Sequence, residues 1–191
     1  MTNNLLTWRN SGYKHQDSTV NQLVNICHKI YTALEDGRDV VFVSLDASSA
    51  FDRVWHDGLL FKLRQMGVRG NLYDWIKSYL ENRKQRVVIN GKFSEWRDLG
   101  AGVPQGSILG PLLFLIYTSD IIIDIESDIQ MFADDTSLLE IICDKFESYS
   151  RVSRDLAKLV SWSKRWLMNF NPSKTKSIIF SKKLIMFIFH P

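Results

Sequence analysis

Three aspartates at the predicted ends of strands are the residues best placed to do chemistry. Asp46 ends an apolar, β-branched run that begins at Val40, and Asp134 and Asp135 lie in the predicted turn of a hairpin. Adjacent carboxylates in a tight turn repel each other, and a divalent cation relieves that repulsion. If the Asp46 strand pairs beside the hairpin, the three carboxylates could hold two metal ions about 3.5–4 Å apart and promote phosphoryl transfer.

The Asp-Asp pair also has a purely structural interpretation. Aspartate is common in turns because its side chain accepts hydrogen bonds from the nearby backbone. Asp134 and Asp135 alone therefore do not decide between a metal site and ordinary turn chemistry. The surrounding elements and motifs must decide it.

The elements that would position these aspartates alternate between helices and short strands. A capping box formed by Thr19 and Gln22 predicts a helix that ends near Gly37. Apolar periodicity and turn signals predict the rest: helices around 59–66, 72–80, 111–118 and 145–166, a hairpin with a type I′ turn at 90–91, and strands at 40–45, 129–133, 137–142 and 177–180. The expected apolar faces are Leu23, Val24, Cys27, Ile30, Tyr31 and Leu34 on the first helix, and Leu72, Trp75, Ile76, Tyr79 and Leu80 on the third. The predicted fold class is α+β, a mostly antiparallel sheet backed by helices.

The charge distribution is more informative than the net charge of +3. Residues 62–97 carry nine Lys/Arg against three Asp/Glu, and residues 164–183 carry six Lys/Arg and no acid, whereas residues 120–147 carry nine acids against one Lys. Two basic segments flanking an acidic centre fit a phosphate-backbone track beside a metal site. Ordinary solvated helix faces are the alternative.

Several classes of protein are excluded by the same sequence. Cys27 and Cys143 have neither CxxC spacing nor paired histidines, so they indicate no zinc site or disulfide framework and are predicted to be small core residues. The first residues lack the apolar stretch of a signal peptide, and no run reaches membrane-spanning length. An intracellular protein without membrane partners is expected.

Four motifs resemble those of one enzyme family. Residues 132–135, Phe-Ala-Asp-Asp, resemble the Phe/Tyr-x-Asp-Asp signature of reverse transcriptases. Residues 45–52 resemble the first palm motif of that family, residues 102–114 the second, and residues 166–176 the motif downstream of the catalytic hairpin. The form of the second motif and the segment 75–86 resemble non-LTR retrotransposons of the LINE type, jockey-like in particular. A group II intron maturase shares the palm and is the less favoured relative.

This resemblance implies an RNA-directed DNA polymerase that joins a dNTP to a primer 3′-OH by a two-metal mechanism. Its fold would be a polymerase palm, a ferredoxin-like antiparallel sheet backed by helices. The expected cofactor is Mg²⁺, two ions, with Mn²⁺ as an alternative. The expected partners are an RNA template, a DNA primer and dNTP.

Roles carry over by position. Asp46, Asp134 and Asp135 would be the metal ligands, and Lys174 would protonate the departing pyrophosphate. Phe51 would exclude a ribonucleotide by abutting the sugar, although a core phenylalanine is its ordinary interpretation. The residues expected to line the incoming nucleotide are Ala47, Ala50, Phe51, Gln105 and Gly106. Asp52 is expected to cap the following helix.

The sequence departs from the family mildly at Ser49, where a lysine is usual. Residues 1–181 are predicted to form the palm with a remnant of the fingers and no thumb, and residues 182–191 an apolar tail foreign to the family. A truncated enzyme is therefore expected. The alternative is a catalytically silent fragment that at most binds nucleic acid or metal.

Overall fold

The computed structural model describes residues 7, 9–13, 17–182 and 186–188, and it divides the chain into two compact units. The first unit comprises residues 1–50 and 119–191, and the second comprises residues 51–118. Along the chain the elements are α1 (Thr19–Glu35), β1 (Val40–Leu45), a 3₁₀ turn (Ala50–Arg53), α2 (His56–Gln65), α3 (Gly70–Leu80), β2 (Lys84–Gln85), β3 (Val88–Ile89), β4 (Lys92–Phe93), β5 (Arg97–Asp98), α4 (Leu109–Thr118), β6 (Asp128–Phe132), β7 (Asp135–Ile141), α5 (Lys145–Arg165), β8 (Lys176–Phe180) and β9 (Met186–Ile188).

The first unit is built on a five-stranded sheet in the order β6-β7-β1-β8-β9. All four neighbouring pairs are antiparallel. The central strand β1 is rich in β-branched residues and is buried at four of its six positions, as its apolar run predicts. The predicted α+β class with an antiparallel sheet and helices is therefore confirmed.

Helices α1 and α5 contact opposite faces of this sheet. Ala33 of α1 packs in a buried cluster with Val40 and Leu139. Arg151 of α5 is paired with Glu140, which neighbours Leu139 in β7 and therefore points to the other face. Strand β7 thus contacts a helix on each of its two faces.

The predicted details of α1 are partly wrong. Its N-cap is Ser18 rather than Thr19, because the Ser18 side chain accepts a hydrogen bond from the Asn21 N–H. The face that meets the sheet carries Ala33 and Ile30. Leu34 is half-buried, and the other four residues of the expected apolar stripe are exposed, namely Leu23, Val24, Cys27 and Tyr31. Cys143 is exposed as well, so the core placement expected of both cysteines is also wrong.

The second unit contains α2, α3, α4 and two small two-stranded sheets. The β3–β4 hairpin turns at Asn90 and Gly91, whose φ angles of 50° and 75° match the predicted type I′ turn. Helix α3 buries Tyr73, Ile76 and Leu80. The expected burial of Leu72 and Trp75 on that helix is wrong, because both are exposed.

The predicted tail is described only in part. The backbone of β9 pairs with β8, with Met186 opposite Ile179. Leu184, Ile185, Phe189, His190 and Pro191 lie outside the described residues, so a tail that begins at residue 182 stays a prediction. Within the described part of the chain, no helix combines the length and apolar character needed to cross a membrane.

Candidate active site

The topology of the sheet places three chain segments at one of its ends. Leu45, the last residue of β1, is opposite Thr136 of β7, and Ser44 is opposite Lys176, the first residue of β8. The residue after β1, the β6–β7 turn and the loop before β8 must therefore lie side by side. These segments carry Asp46, Asp134 and Lys174.

The β6–β7 turn is tighter than predicted. Phe132 pairs with Asp135, so the loop contains only Ala133 and Asp134, and Asp135 is the first residue of β7. Ala133 has a φ of 55°, in the left-handed region. That conformation costs a non-glycine residue about 1–2 kcal/mol. The turn is therefore strained at the residue that precedes Asp134.

The carboxylates are close enough to influence one another. Partial burial raises the pKa of Asp135 above its usual value, and the charges of Asp134 and Asp46 raise it further. Three oxygen donors under mutual repulsion are what a divalent cation would neutralise, so the donor set fits such an ion. In the described residues, however, no group of three or more His, Cys, Asp or Glu side chains is arranged so as to hold a metal ion.

Lys174 lies directly against Asp46. Its Nζ is 3.3 Å from the Asp46 Oδ2, and the lysine side chain is largely exposed. The loop that carries it is anchored at Asn171, whose N–H donates to the Asp46 carbonyl at 2.8 Å. The Asn171 Oδ1 accepts a hydrogen bond from the Ser173 N–H at 3.1 Å, which is an Asx turn. The Asn-Pro-Ser-Lys sequence thus places the lysine ammonium at the end of β1.

Ala47 and Ala50 are both buried and follow Asp46 in the first unit. Ala47 forms an isolated antiparallel bridge with Phe170, and the neighbouring Ser48 N–H donates to the Asn169 carbonyl at 2.8 Å. Small side chains suit this close backbone approach. Neither alanine offers a polar group, so any part in nucleotide binding would be one of shape.

The remaining predicted residues belong to the second unit. The Phe51 ring stacks on Phe114 with ring centroids 4.5 Å apart. Gln105 and Gly106 are exposed, and the Gln105 Nε2 donates to the Asp52 Oδ1 at 2.8 Å. The expectation that Asp52 caps a helix is therefore wrong, since α2 has Trp55 at its N-cap. Asp52, Arg83, Gly102 and Gln105 are among the residues that line a cleft of about 440 Å³ in this unit.

Asn10 is a buried polar residue that the sequence reasoning missed. It is 3% exposed, and its Oδ1 accepts hydrogen bonds from the Gly12 N–H at 2.8 Å and the Ala133 N–H at 3.3 Å. The available signal was the spacing Asn10-Ser11-Gly12, in which asparagine bonds to the backbone two residues on. The second contact, to residue 133, has no local signal.

Comparison of the sequence with known proteins identifies the family to which the chain is similar. Residues 2–186 match the model of a family described as reverse transcriptase (RNA-dependent DNA polymerase). The chain is 35% identical over 182 residues to a probable RNA-directed DNA polymerase from transposon BS of Drosophila melanogaster, covering 91% of this chain and 20% of that protein. It is 32% identical over 180 residues to the RNA-directed DNA polymerase from mobile element jockey of the same species, covering 90% of this chain and 20% of that protein. The chain thus spans about a fifth of the length of these relatives.

Solved structures of two telomerases are similar to this chain in fold. Apo telomerase from Candida tropicalis, truncated from its C-terminal domain, superposes with a TM-score of 0.66 at 14% identity, over 90% of this chain and 36% of that one. Telomerase from Candida albicans in complex with a TWJ fragment of telomeric RNA gives the same TM-score of 0.66 and 14% identity, over 91% of this chain and 32% of that one. At this identity the likeness concerns the fold alone.

Proposed function

Because this chain belongs to the reverse transcriptase (RNA-dependent DNA polymerase) family, as its match over residues 2–186 shows, we propose that it carries the catalytic palm of a retrotransposon RNA-directed DNA polymerase. The family expected from the four motifs is thereby confirmed, and the jockey-like relatives agree with the expected branch. The proposed reaction joins a dNTP to the 3′-OH of a DNA primer on an RNA template.

The placement of three carboxylates at one end of the sheet carries this proposal. Asp46 follows the central strand, and Asp134 and Asp135 come from the adjoining hairpin. Burial and the charges of Asp134 and Asp46 raise the pKa of Asp135, which supports the proposal. Bound Mg²⁺, two ions by analogy with the family, would supply neutralisation of charge on the transferred phosphate and activation of the primer hydroxyl.

Lys174 has a natural place in this reaction. Its ammonium lies 3.3 Å from Asp46 on an exposed loop, where it can meet the phosphates of an incoming nucleotide. We assign it the role of orienting the pyrophosphate and giving it a proton. A lysine also stabilises charge on the departing group without a change of protonation, so this role requires a test of its own.

In the second unit, Phe51, Gln105 and Gly106 are proposed to contact the incoming nucleotide. Phe51 is held by its stack on Phe114, and a rigid ring suits exclusion of a 2′-hydroxyl. Gln105 is held by Asp52 and would contact the nucleotide beside Gly106. In the first unit, buried Ala47 and Ala50 would offer small apolar surfaces to the nucleotide. The assignment of the chain to palm and partial fingers is part of the same proposal.

The experiment is primer extension by the 191-residue chain on an RNA template with dNTPs and Mg²⁺ or Mn²⁺. Asp134→Asn should abolish metal-dependent extension. Asp74→Asn, a matched change of an exposed aspartate on α3, should not alter it. Extension that survives in Asp134→Asn would refute the assignment of the site. No extension from a folded wild-type chain would support the alternative, a catalytically silent fragment.

A further inference from the structure

We propose that Asn10 and Gly12 are positioning residues that hold the β6–β7 turn in the shape that presents Asp134 to a metal ion. The segment Arg9–Gly12, far from the turn in sequence, would thereby set the metal affinity of the site. The inference rests on the proposed function, because it takes Asp134 to be a metal ligand.

The sequence of the β6–β7 turn does not favour the backbone conformation that the turn adopts. Two-residue hairpin loops with a positive φ at the first central position usually place glycine or asparagine there. This loop has Ala133, with a φ of 55°. A left-handed alanine persists only where its surroundings over-determine it. The contacts that hold Ala133 are therefore the contacts that fix the direction of the next residue, Asp134.

The Asn10 side chain supplies a contact of this kind. Its Oδ1 accepts a hydrogen bond from the Ala133 N–H at 3.3 Å, and the same oxygen accepts one from the Gly12 N–H at 2.8 Å. Asn10 is 3% exposed and Ala133 is 5% exposed, so water cannot easily replace the carboxamide. Loss of the side chain would leave a buried N–H without an acceptor at the strained residue.

The backbone fixes Asn10 relative to β6. The Met131 N–H donates to the Arg9 carbonyl and the Ser11 N–H donates to the Met131 carbonyl, both at 2.9 Å. These two bonds make a parallel bridge between Asn10 and Met131 along the outer edge of β6. The carboxamide is therefore locked in register with the strand that leads into the turn.

Gly12 allows the Arg9–Gly12 segment to lie close to the backbone of Ala133. A Cβ on Gly12 would lie 2.4 Å from the Ala133 backbone nitrogen, a distance that backbone atoms cannot relieve without moving. Glycine is thus the residue that lets this segment lie against the turn. Asn10 accepts the hydrogen bond from the Ala133 N–H, and Gly12 leaves space for the Ala133 backbone.

The test measures Mn²⁺ binding to the folded 191-residue chain from the electron paramagnetic resonance signal of free Mn²⁺, with no nucleic acid present. Asn10→Ala should weaken the affinity about 10–100-fold, the usual effect of removing a group that orients a metal ligand. Gly12→Ala should weaken it in the same direction. Asn25→Ala, at an exposed asparagine of α1, is the matched control and should bind as wild type does.

A rescue separates positioning from general stability. In the double variant Asn10→Ala/Ala133→Gly, the glycine adopts a positive φ without strain, so part of the lost affinity should return. Asn10→Ser, a milder change, carries the test if Asn10→Ala does not fold. Variants that melt at a lower temperature but bind Mn²⁺ as wild type does when folded would overturn the inference.

Mn²⁺ binding by Asp134→Asn shows whether a negative result refutes only the positioning role of Asn10 or also the proposed function. Binding that is lost in Asp134→Asn but unchanged in Asn10→Ala would overturn the positioning role and leave the proposed function standing. Binding by Asp134→Asn equal to that of wild type, or no binding by the wild-type chain, would overturn both. Reduced affinity in Asn10→Ala with partial return in the double variant would establish the role.

Discussion

The charge of Asp134 acts on the neighbouring Asp135 carboxylate, so it has opposite effects on folding and on the proposed function. We expect Asp134→Asn to leave the free energy of unfolding unchanged or raised by at most about 1 kcal/mol in metal-free buffer at neutral pH. Burial and the charges of Asp134 and Asp46 raise the pKa of Asp135. An ionised group whose pKa is raised by folding destabilises the fold at pH values above that pKa.

The increase in the free energy of unfolding caused by Asp134→Asn should therefore shrink as the pH falls through the pKa of Asp135. Protonation of Asp135 then relieves the repulsion in wild type as well. Urea titrations of both proteins at neutral and acidic pH would measure this. A clear loss of folding in Asp134→Asn would contradict the description of the site as crowded carboxylates.

Lys174 competes with any cation for Asp46. Lys174→Met should raise the Mn²⁺ affinity of the chain without nucleic acid by at most about fivefold, since an exposed ion pair contributes no more than about 1 kcal/mol. The same change should lower the rate of primer extension if Lys174 acts on the pyrophosphate. Affinity and rate that fall together would indicate that Lys174 simply supports the loop.

The proposed role of Phe51 in sugar selection can be tested by substitution. Phe51→Ala should increase the use of ribonucleotides relative to deoxyribonucleotides, because it removes the ring that is proposed to exclude a 2′-hydroxyl. Phe114→Leu removes the partner of the stack and is the control for loss of packing in the second unit. The ratio of kcat/KM values for a dNTP and its rNTP is the readout, and an unchanged ratio would remove the steric role of Phe51.

At the scale of elements, a buried carboxylate of α5 holds the backbone that leads into β6. Asp155 of α5 is fully buried and accepts hydrogen bonds from the Ser127 N–H at 2.7 Å and the Glu126 N–H at 3.1 Å, just before β6 begins. Lys158 lies 3.1 Å from the same carboxyl group. Burial would raise the pKa of Asp155, but the Ser127 and Glu126 N–H groups and Lys158 outweigh it, so the pKa lies below its usual value.

Asp155→Ala should lower the free energy of unfolding by about 1.5–3 kcal/mol, as expected for hydrogen bonds to a charged group. The stabilisation by Asp155 is present above its unfolded pKa, near 4, and is lost as the pH falls through its lower folded pKa. The difference between wild type and Asp155→Ala in urea titrations should therefore narrow in strong acid. A difference that is constant with pH would contradict an ionised anchor.

The elements also show what the sequence could predict. The β-branched run of β1 and the apolar strands on either side of Asp134 have local signatures, so the strand-end position of Asp46 and the hairpin were predictable. The face of α1 was not, because its apolar residues cover more of the helix than the sheet requires, and periodicity cannot choose among them. Asn10 was missed because its essential contact is with residue 133, which no local pattern encodes.

At the scale of the whole molecule, the sheet joins segments that are distant in sequence. The central strand β1 pairs with strands that begin at Asp135 and Lys176, and the second unit is inserted between β1 and β6 along the chain. Non-local strand pairing makes folding slow, because loops must close before contacts form. We expect the main refolding phase, followed by tryptophan fluorescence after dilution from urea, to take milliseconds to seconds; completion within microseconds would contradict this.

The central position of β1 has a consequence for synthesis on the ribosome. Translation delivers Val40–Leu45 early, but β7 is made only after the inserted unit, and β8 only after α5. The apolar strand β1 therefore has both edges open until β7 is made and one edge open until β8 is made, and an open edge is prone to pairing with another chain. A cell that makes this protein must keep that nascent strand apart from its neighbours until residue 180 has left the exit tunnel.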